Sequence, residues 1–276
     1  MSSLEGVQTV VRRNGEWKIL IGGREYPGHA RHIQSLLDLL ASVKQIRQVA
    51  AGSAAKAAFG LTEEPGRYII LLDGDNISLA HLHVGKRDGQ DGGSFVRLDG
   101  HSQVVLLNRA LDFYLDAPSQ FWSNLRLFPD DLKAEDIIRL ATRGRINLPE
   151  LGELYLDYVL VKDVEGGNTW NLGHDSRQRA SFKLDSTEVD SLANAIAVME
   201  GLAFSDQGAV AEKLTEKPVA ELDLRTRQGR EYRLLVFGPE EGGVYYTKSS
   251  ESSYLFPTAD WRLPLVLKPL SSLEQQ

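Results

Sequence analysis

Leu61-Thr62-Glu63-Glu64-Pro65 decides the reading of the fold, because it returns as Leu214-Thr215-Glu216-Lys217-Pro218. Trp17 and Trp170 keep the same spacing, and so do Gly85 and Gly238. Between these anchors the chain aligns with itself without a gap, 17–85 on 170–238. Identities are sparse, but the apolar pattern recurs. Leu36, Leu39, Leu40, Val43, Ile46 and Val49 fall on Val189, Leu192, Ala193, Ile196, Met199 and Leu202. Both sets keep the i, i+3, i+4, i+7 spacing of an amphipathic helix.

Outward from this stretch, each copy reads in one order. A strand ends near Trp17–Leu20 or Trp170–Leu172. A helix follows over 30–49 or 186–203. Ser186 is placed to accept from the free N–H groups of the second helix, and Glu188 and Asp190 suit its positive end. Ala-rich turns occupy 54–60 and 207–213. Pro65 or Pro218 then stops any helix and sets an extended chain. Strands are expected at 67–72, 77–84, 94–98 and 103–108 in the first copy. In the second they are expected at 219–225, 230–237, 243–248 and 253–256. Asp73-Gly74-Asp75-Asn76, Gly92-Gly93, Asp99-Gly100, Gln228-Gly229 and Gly242-Gly243 supply turns that tolerate positive φ.

The expected fold is therefore α+β, with two tandem repeats, each one helix packed on an antiparallel β-meander. Repeat one takes 1–110, a connector 111–153, repeat two 154–268, and a frayed polar tail 269–276. Within the connector, Arg109 to Leu115 reads as a short helix ended by Pro118, and the run Phe121 to Pro129 as packing between the repeats. Asp136 to Thr142 and Leu154 to Lys162 read as strands. Leu39, Val43, Leu192 and Ile196 are expected in the core.

The 276 residues carry 31 Lys and Arg against 38 Asp and Glu, a formal charge of −7. Apolar residues make 42% and charged residues 25%, so the chain is globular rather than disordered. The acidic balance disfavours a basic nucleic-acid face. The absence of cysteine excludes disulfides, thiol nucleophiles, Fe–S clusters and thiolate zinc sites. No basic segment followed by an apolar one marks a signal peptide at Met1, and apolar runs such as Tyr68–Leu72 fall far short of a membrane span.

Certain residues resemble a known family. Phe59-Gly60-Leu61-Thr62-Glu63-Glu64-Pro65, a hairpin ending at Val84-Gly85, Ser94-Phe95-Val96 and Val104–Leu107 are similar to the bacterial family called domain of unknown function 4340. Phe121-Trp122, Arg126-Leu127-Phe128, Asp136-Ile137 and Trp170-x-Leu172 fit the same pattern. The resemblance covers about 10–260 and rests on core and turn residues. It implies an accessory subunit of an envelope complex, encoded beside ABC transporters of the gliding-motility type. It also implies an N-terminal membrane helix followed by an extracytoplasmic region, and this chain departs from the pattern by lacking that helix. It implies no catalytic residues.

The six histidines are 29, 32, 81, 83, 101 and 174. His81 and His83 share a strand face and could approach one metal, with His101 as a third ligand from a nearby turn. Two imidazoles alone define no site. Their ungapped counterparts, Leu234 and Val236, favour a merely polar strand. His29 and His32 read as packing or surface groups. Asp73-Gly-Asp75-Asn76 opens like a calcium loop but has Val84 where the bidentate Glu is needed, so it reads as a turn. Glu63 and Glu216 recur as a pair, better explained by local backbone contacts than by acid–base work. No nucleotide loop, zincin or serine-nucleophile motif occurs.

Tyr245, Tyr246, Tyr254, Phe256 and Trp261 divide between core and a recognition surface. Arg225, Arg227, Arg230 and Arg233 form a local basic cluster, read as a solvated hairpin or a site for an acidic partner. No catalytic, cofactor or metal residue is assigned. The expected function is a non-catalytic extracytoplasmic binding or scaffolding subunit. Its expected partner is an ABC transporter permease or accessory protein. The alternatives are an envelope hydrolase with a cleft between repeats, or a carrier of a hydrophobic ligand.

Overall fold

A computed structural model describes residues 2–3, 6–51, 57–61, 66–148, 151–173, 182–205, 213, 216–240 and 243–275. The fold is α+β, with antiparallel sheets and few helices. The chain divides into two compact units, Met1–Asn124 and Leu125–Gln276. The division falls within the segment read as a connector. The apolar run 121–129 is split by it rather than lying between two bodies. Trp122 is buried in a core of the first unit, and Leu125, Leu127 and Phe128 in that of the second.

The first unit opens with β1 (Ser2–Ser3), β2 (Gly6–Val7), β3 (Thr9–Arg13), β4 (Glu16–Ile21) and β5 (Arg24–Pro27). Helix α1 (Ala30–Ser42) and β6 (Gln45–Ala51) follow. Then come β7 (Tyr68–Leu72), β8 (Ser78–Arg87), β9 (Ser94–Leu98) and β10 (Gln103–Leu107). Two short helices, α2 (Asp112–Leu115) and α3 (Ser119–Trp122), end the unit. One sheet has the order β2-β1-β7-β8-β9-β10-β6, and β3-β4-β5 form a separate three-stranded sheet.

Helix α1 serves both sheets. Ile33 and Leu36 pack with Ile19 of β4 and with Trp122. Leu39, Leu40 and Val43 lean on Ile69, Val84 and Val96 of the larger sheet. Leu39 and Val43 are only half-buried, short of the full burial expected of them. The helix also ends at Ser42 rather than continuing to 49. Lys44 N–H donates to Asn108 Oδ1 at 2.8 Å, and Asn108 N–H donates to Lys44 O at 2.9 Å. These bonds turn the chain onto the edge of β10. Val49 and Ala50 then pack with Phe95, Val104 and Leu106 as strand residues.

The second unit contains β11 (Ile137–Leu148), β12 (Gly152–Asp163), β13 (Thr169–Leu172) and α4 (Ser186–Ala197). It continues with β14 (Ala220–Thr226), β15 (Glu231–Phe237), β16 (Tyr245–Ser249), β17 (Phe256–Thr258) and the short α5 (Leu263–Val266). Its single sheet runs β13-β12-β11-β14-β15-β16-β17. Thus β11, from the segment read as connector, stands in the middle of this sheet. Val189, Leu192, Ala193, Ile196 and Ala197 of α4 are all buried in the same core as Leu140, Leu160, Leu222, Leu224 and Leu234.

Three local expectations change here. Asp185, not Ser186, caps α4: its Oδ1 accepts from Thr187 N–H at 2.8 Å and Glu188 N–H at 3.4 Å. Ser186 Oγ accepts instead from Trp170 N–H. The helix stops at Ala197 instead of reaching 203, and the chain beyond it follows β17. There Leu202 N–H donates to Pro257 O and Ser205 N–H to Leu255 O. The tail is not frayed over its described part, because Leu270 and Leu273 are buried and backbone bonds tie Leu273 to Asp185 and Gln275 to Lys183. Among the described residues no helix is long and apolar enough to cross a membrane.

Candidate functional site

The site is built on the β7–β8 hairpin. Asp73 Oδ1 accepts from the N–H groups of Asp75 at 2.9 Å and Ile77 at 2.8 Å, and Asn76 takes φ 62°. That is an Asx-type turn, as the motif suggested. The ladder pairs Ile69 with Leu82, Ile70 with His81 and Tyr68 with His83. Ile69 and Val84 are buried and Leu82 packs against them. Strand alternation therefore sends Tyr68, Ile70, Leu72, Leu79, His81 and His83 to the other face. Part of that face is covered where Phe59 O accepts from Lys86 N–H. A Cβ on Gly85 would lie 2.2 Å from Phe59 O, so glycine is required there for close approach.

Strand β9 completes the constellation. His83 stands opposite Arg97, and Asp99 N–H donates to His81 O at 2.9 Å. This bond sets the Asp99 carboxylate beside both imidazoles. Oδ1 lies 3.2 Å from His83 Nε2, and Oδ2 lies 3.7 Å from His81 Nδ1. The two rings stack at 4.6 Å between centroids, and Tyr68 meets His81 edge-on. One ligand atom from each of His81, His83 and Asp99 falls within 4.8 Å of the others. His101, the third ligand expected from the sequence, is not in this cluster. Its N–H closes a turn onto Leu98 O and its carbonyl receives Arg97 Nη1.

Burial holds the His83 imidazole below its ordinary pKa, against the opposing hydrogen bond that it donates to Asp99. Nearby Arg97 pushes the same way as burial. The hydrogen bond to His83 holds the Asp99 carboxyl below the usual carboxylate range.

The β14–β15 hairpin offers a direct comparison. It pairs Leu222 with Leu234, Asp223 with Arg233 and Ala220 with Val236. Ser250 N–H donates to Arg233 O at 2.8 Å, as Asp99 does to His81. The counterpart of His81 on this ladder is Arg233, and that of Asp99 is Ser250. The ungapped match of His81 and His83 to Leu234 and Val236 is therefore off by one residue. The first hairpin has one residue more between its paired core positions, and a shift of one exchanges the two faces of a strand. Gly85 and Gly238 consequently do not share a ladder position.

The arginines are held by partners. Arg233 bonds Asp223 at 2.6 Å, Arg230 bonds Asp131 at 2.9 Å, and Arg225 lies 4.0 Å from Glu231. Arg227 reaches Asn168. Arg225 and Arg233 border a hollow of about 430 Å³ that also touches Arg139 and Ser250. Three arginines and two acids share that hollow, so no concentrated positive field results.

The remaining candidates resolve into structural roles or lie outside the described residues. Lys213 Nζ is 2.9 Å from Glu216 and 2.6 Å from Glu240, and these bonds raise its pKa to about 12. Glu63 and His174 lie outside the described residues. His29 accepts from His32 N–H at the start of α1, and His29, His32 and Phe121 stack in series. Tyr245 and Phe256 are core residues, Tyr246 and Tyr254 are half-buried, and Trp261 is exposed.

Two antiparallel-sheet units define an α+β chain whose one convergent His–carboxylate group, among the described residues, sits on an open sheet face. The chain belongs to the family described as domain of unknown function (DUF4340), whose model matches residues 17–223. No curated protein and no solved structure gives a significant match.

Proposed function

We propose that this chain is a non-catalytic binding or scaffolding subunit, acting outside the cytoplasm beside an ABC-type transport complex of the bacterial envelope. The carrying observation is the open face of the first unit's larger sheet. Ile70, Leu72 and Leu79 project there at 39%, 52% and 68% exposure, with Ile77 at 62% in the adjoining turn. Isolated exposed aliphatics need no explanation, but a run of them on adjoining strands marks an interaction surface. A sheet face of this kind suits a protein partner, and the family resemblance supplies its class: a permease or an accessory subunit.

Duplication of one unit is part of the same reading. The strand order β2-β1-β7-β8-β9-β10 parallels β12-β11-β14-β15-β16-β17, with one helix before each meander. The edge segments 45–51 and 199–205 bond to β10 and β17 alike. These parallels support an ancestral repeat with a one-residue difference in the β7–β8 hairpin. In that history the two outer faces have diverged, and the first became the docking face.

Crosslinked pulldown from the native host tests the function. Wild-type chain should capture a transporter component, and Leu79→Asp should lose it without loss of fold. Capture unchanged by Leu79→Asp, or no transporter component in the wild-type sample, would count against the reading.

A further inference from the structure

We propose that His81, His83 and Asp99 form a binding site for a divalent transition-metal ion of the zinc class. The inference goes beyond the docking role and stands without it. His81 and His83 are two apart on one strand, so their rings share a face and cannot diverge. Asp99 is fixed against them by its own backbone bond to His81 O. The three elements of the site are thus set by the sheet ladder rather than by flexible chain.

The spacing suits a small tetrahedral ion. Zinc bonds of about 2.0–2.1 Å place neighbouring ligand atoms roughly 3.4 Å apart. The carboxylate–imidazole separations, one to each carboxylate oxygen, are 3.2 Å and 3.7 Å, and one ligand atom from each residue lies within 4.8 Å of the others. Two nitrogens and one oxygen select zinc, nickel, cobalt or copper over magnesium and calcium, which take oxygen sets. Three protein ligands leave a fourth position for water or a group from a partner.

His81 Nδ1 faces Asp99, 3.7 Å from its Oδ2, so this ring nitrogen lies on the side of the proposed ion. Arg97 Nη1 stands 3.9 Å from Asp99 Oδ1, beyond hydrogen-bond range, so it leaves the carboxylate lone pairs to the ion. Its positive charge moderates the affinity.

Equilibrium dialysis of the chelator-treated full chain against Zn²⁺, with elemental analysis, tests the site. Co²⁺ absorption reports the geometry. One metal per chain and the visible bands of tetrahedral Co²⁺ are expected, with no competition from Mg²⁺. Affinity should fall about tenfold or more in Asp99→Asn and vanish in the His81→Gln, His83→Gln pair. His101→Gln should bind as wild type does. Circular dichroism establishes that each variant is folded, and the exposed Asp99 carries the comparison if the double variant is not. Absence of saturable zinc uptake by the folded wild type, or uptake undiminished in folded Asp99→Asn, overturns the proposal.

Discussion

In the first unit the outer face of the central hairpin presents His81 and His83, and the next turn brings Asp99 to them. In the second, the same ladder positions present Arg233, Leu235 and Ser250. The backbone contact is alike: a turn N–H after the third strand donates to the second strand's carbonyl. The side chains differ in kind. One face gathers two imidazoles beside a carboxylate, and the other pairs arginines with acceptors. A meander fixes where side chains point, while chemistry is free to differ from one sheet to another.

The interiors differ too, and there the largest effects are expected. Helix α4 buries five residues completely enough to join the core, whereas α1 buries two. Ile196→Ala should cost about 2–5 kcal/mol in urea unfolding. Leu39→Ala should cost less than that, because the side chain is already half in water. Equal losses would break the distinction between the two helices. Next in size is Gly85→Ala, which forces a methyl into Phe59 O and should cost about 1–3 kcal/mol. Gly89→Ala, with open space around it, should leave the melting temperature unchanged.

The smallest effects belong to the outer faces. Leu79→Asp should alter stability by no more than about 0.5 kcal/mol while abolishing partner capture. Arg233→Ala removes a partly exposed ion pair and should cost roughly 0.2–1 kcal/mol at low salt, fading as salt rises. A large loss at Arg233 with none at Leu79 would sharpen the comparison differently, making the second face structural.

Much of the architecture is legible in the chain. Strand β9 occupies the expected 94–98, and the Asp73 turn forms as its residues dictate. The helix register of α4 holds, since Leu192 and Ile196 are buried. The extension of α1 to 49 failed because Ile46 and Val49 continue a helical spacing while serving an edge strand, where pairing with β10 outweighs periodicity. The tail failed because Leu270 and Leu273 are a buried pair among polar neighbours.

The site was half legible. His81 and His83 announce themselves by strand spacing. Asp99 does not, since it reads as a turn former and reaches them only through pairing of β8 with β9. The one-residue difference between hairpins was hidden by an ungapped match that aligned the outer histidines with core residues. Register is a property of the folded ladder and is not written locally.

The most direct measurement is a residue-resolved NMR titration of the folded chain with Zn²⁺, reading both hairpins in one sample. The account predicts that perturbations concentrate at His81, His83 and the backbone from Arg97 to Gly100, and that Asp223, Arg233 and Ser250 stay unmoved. Shifts centred on other histidines, shifts shared equally by the two hairpins, or no shift at all would contradict it.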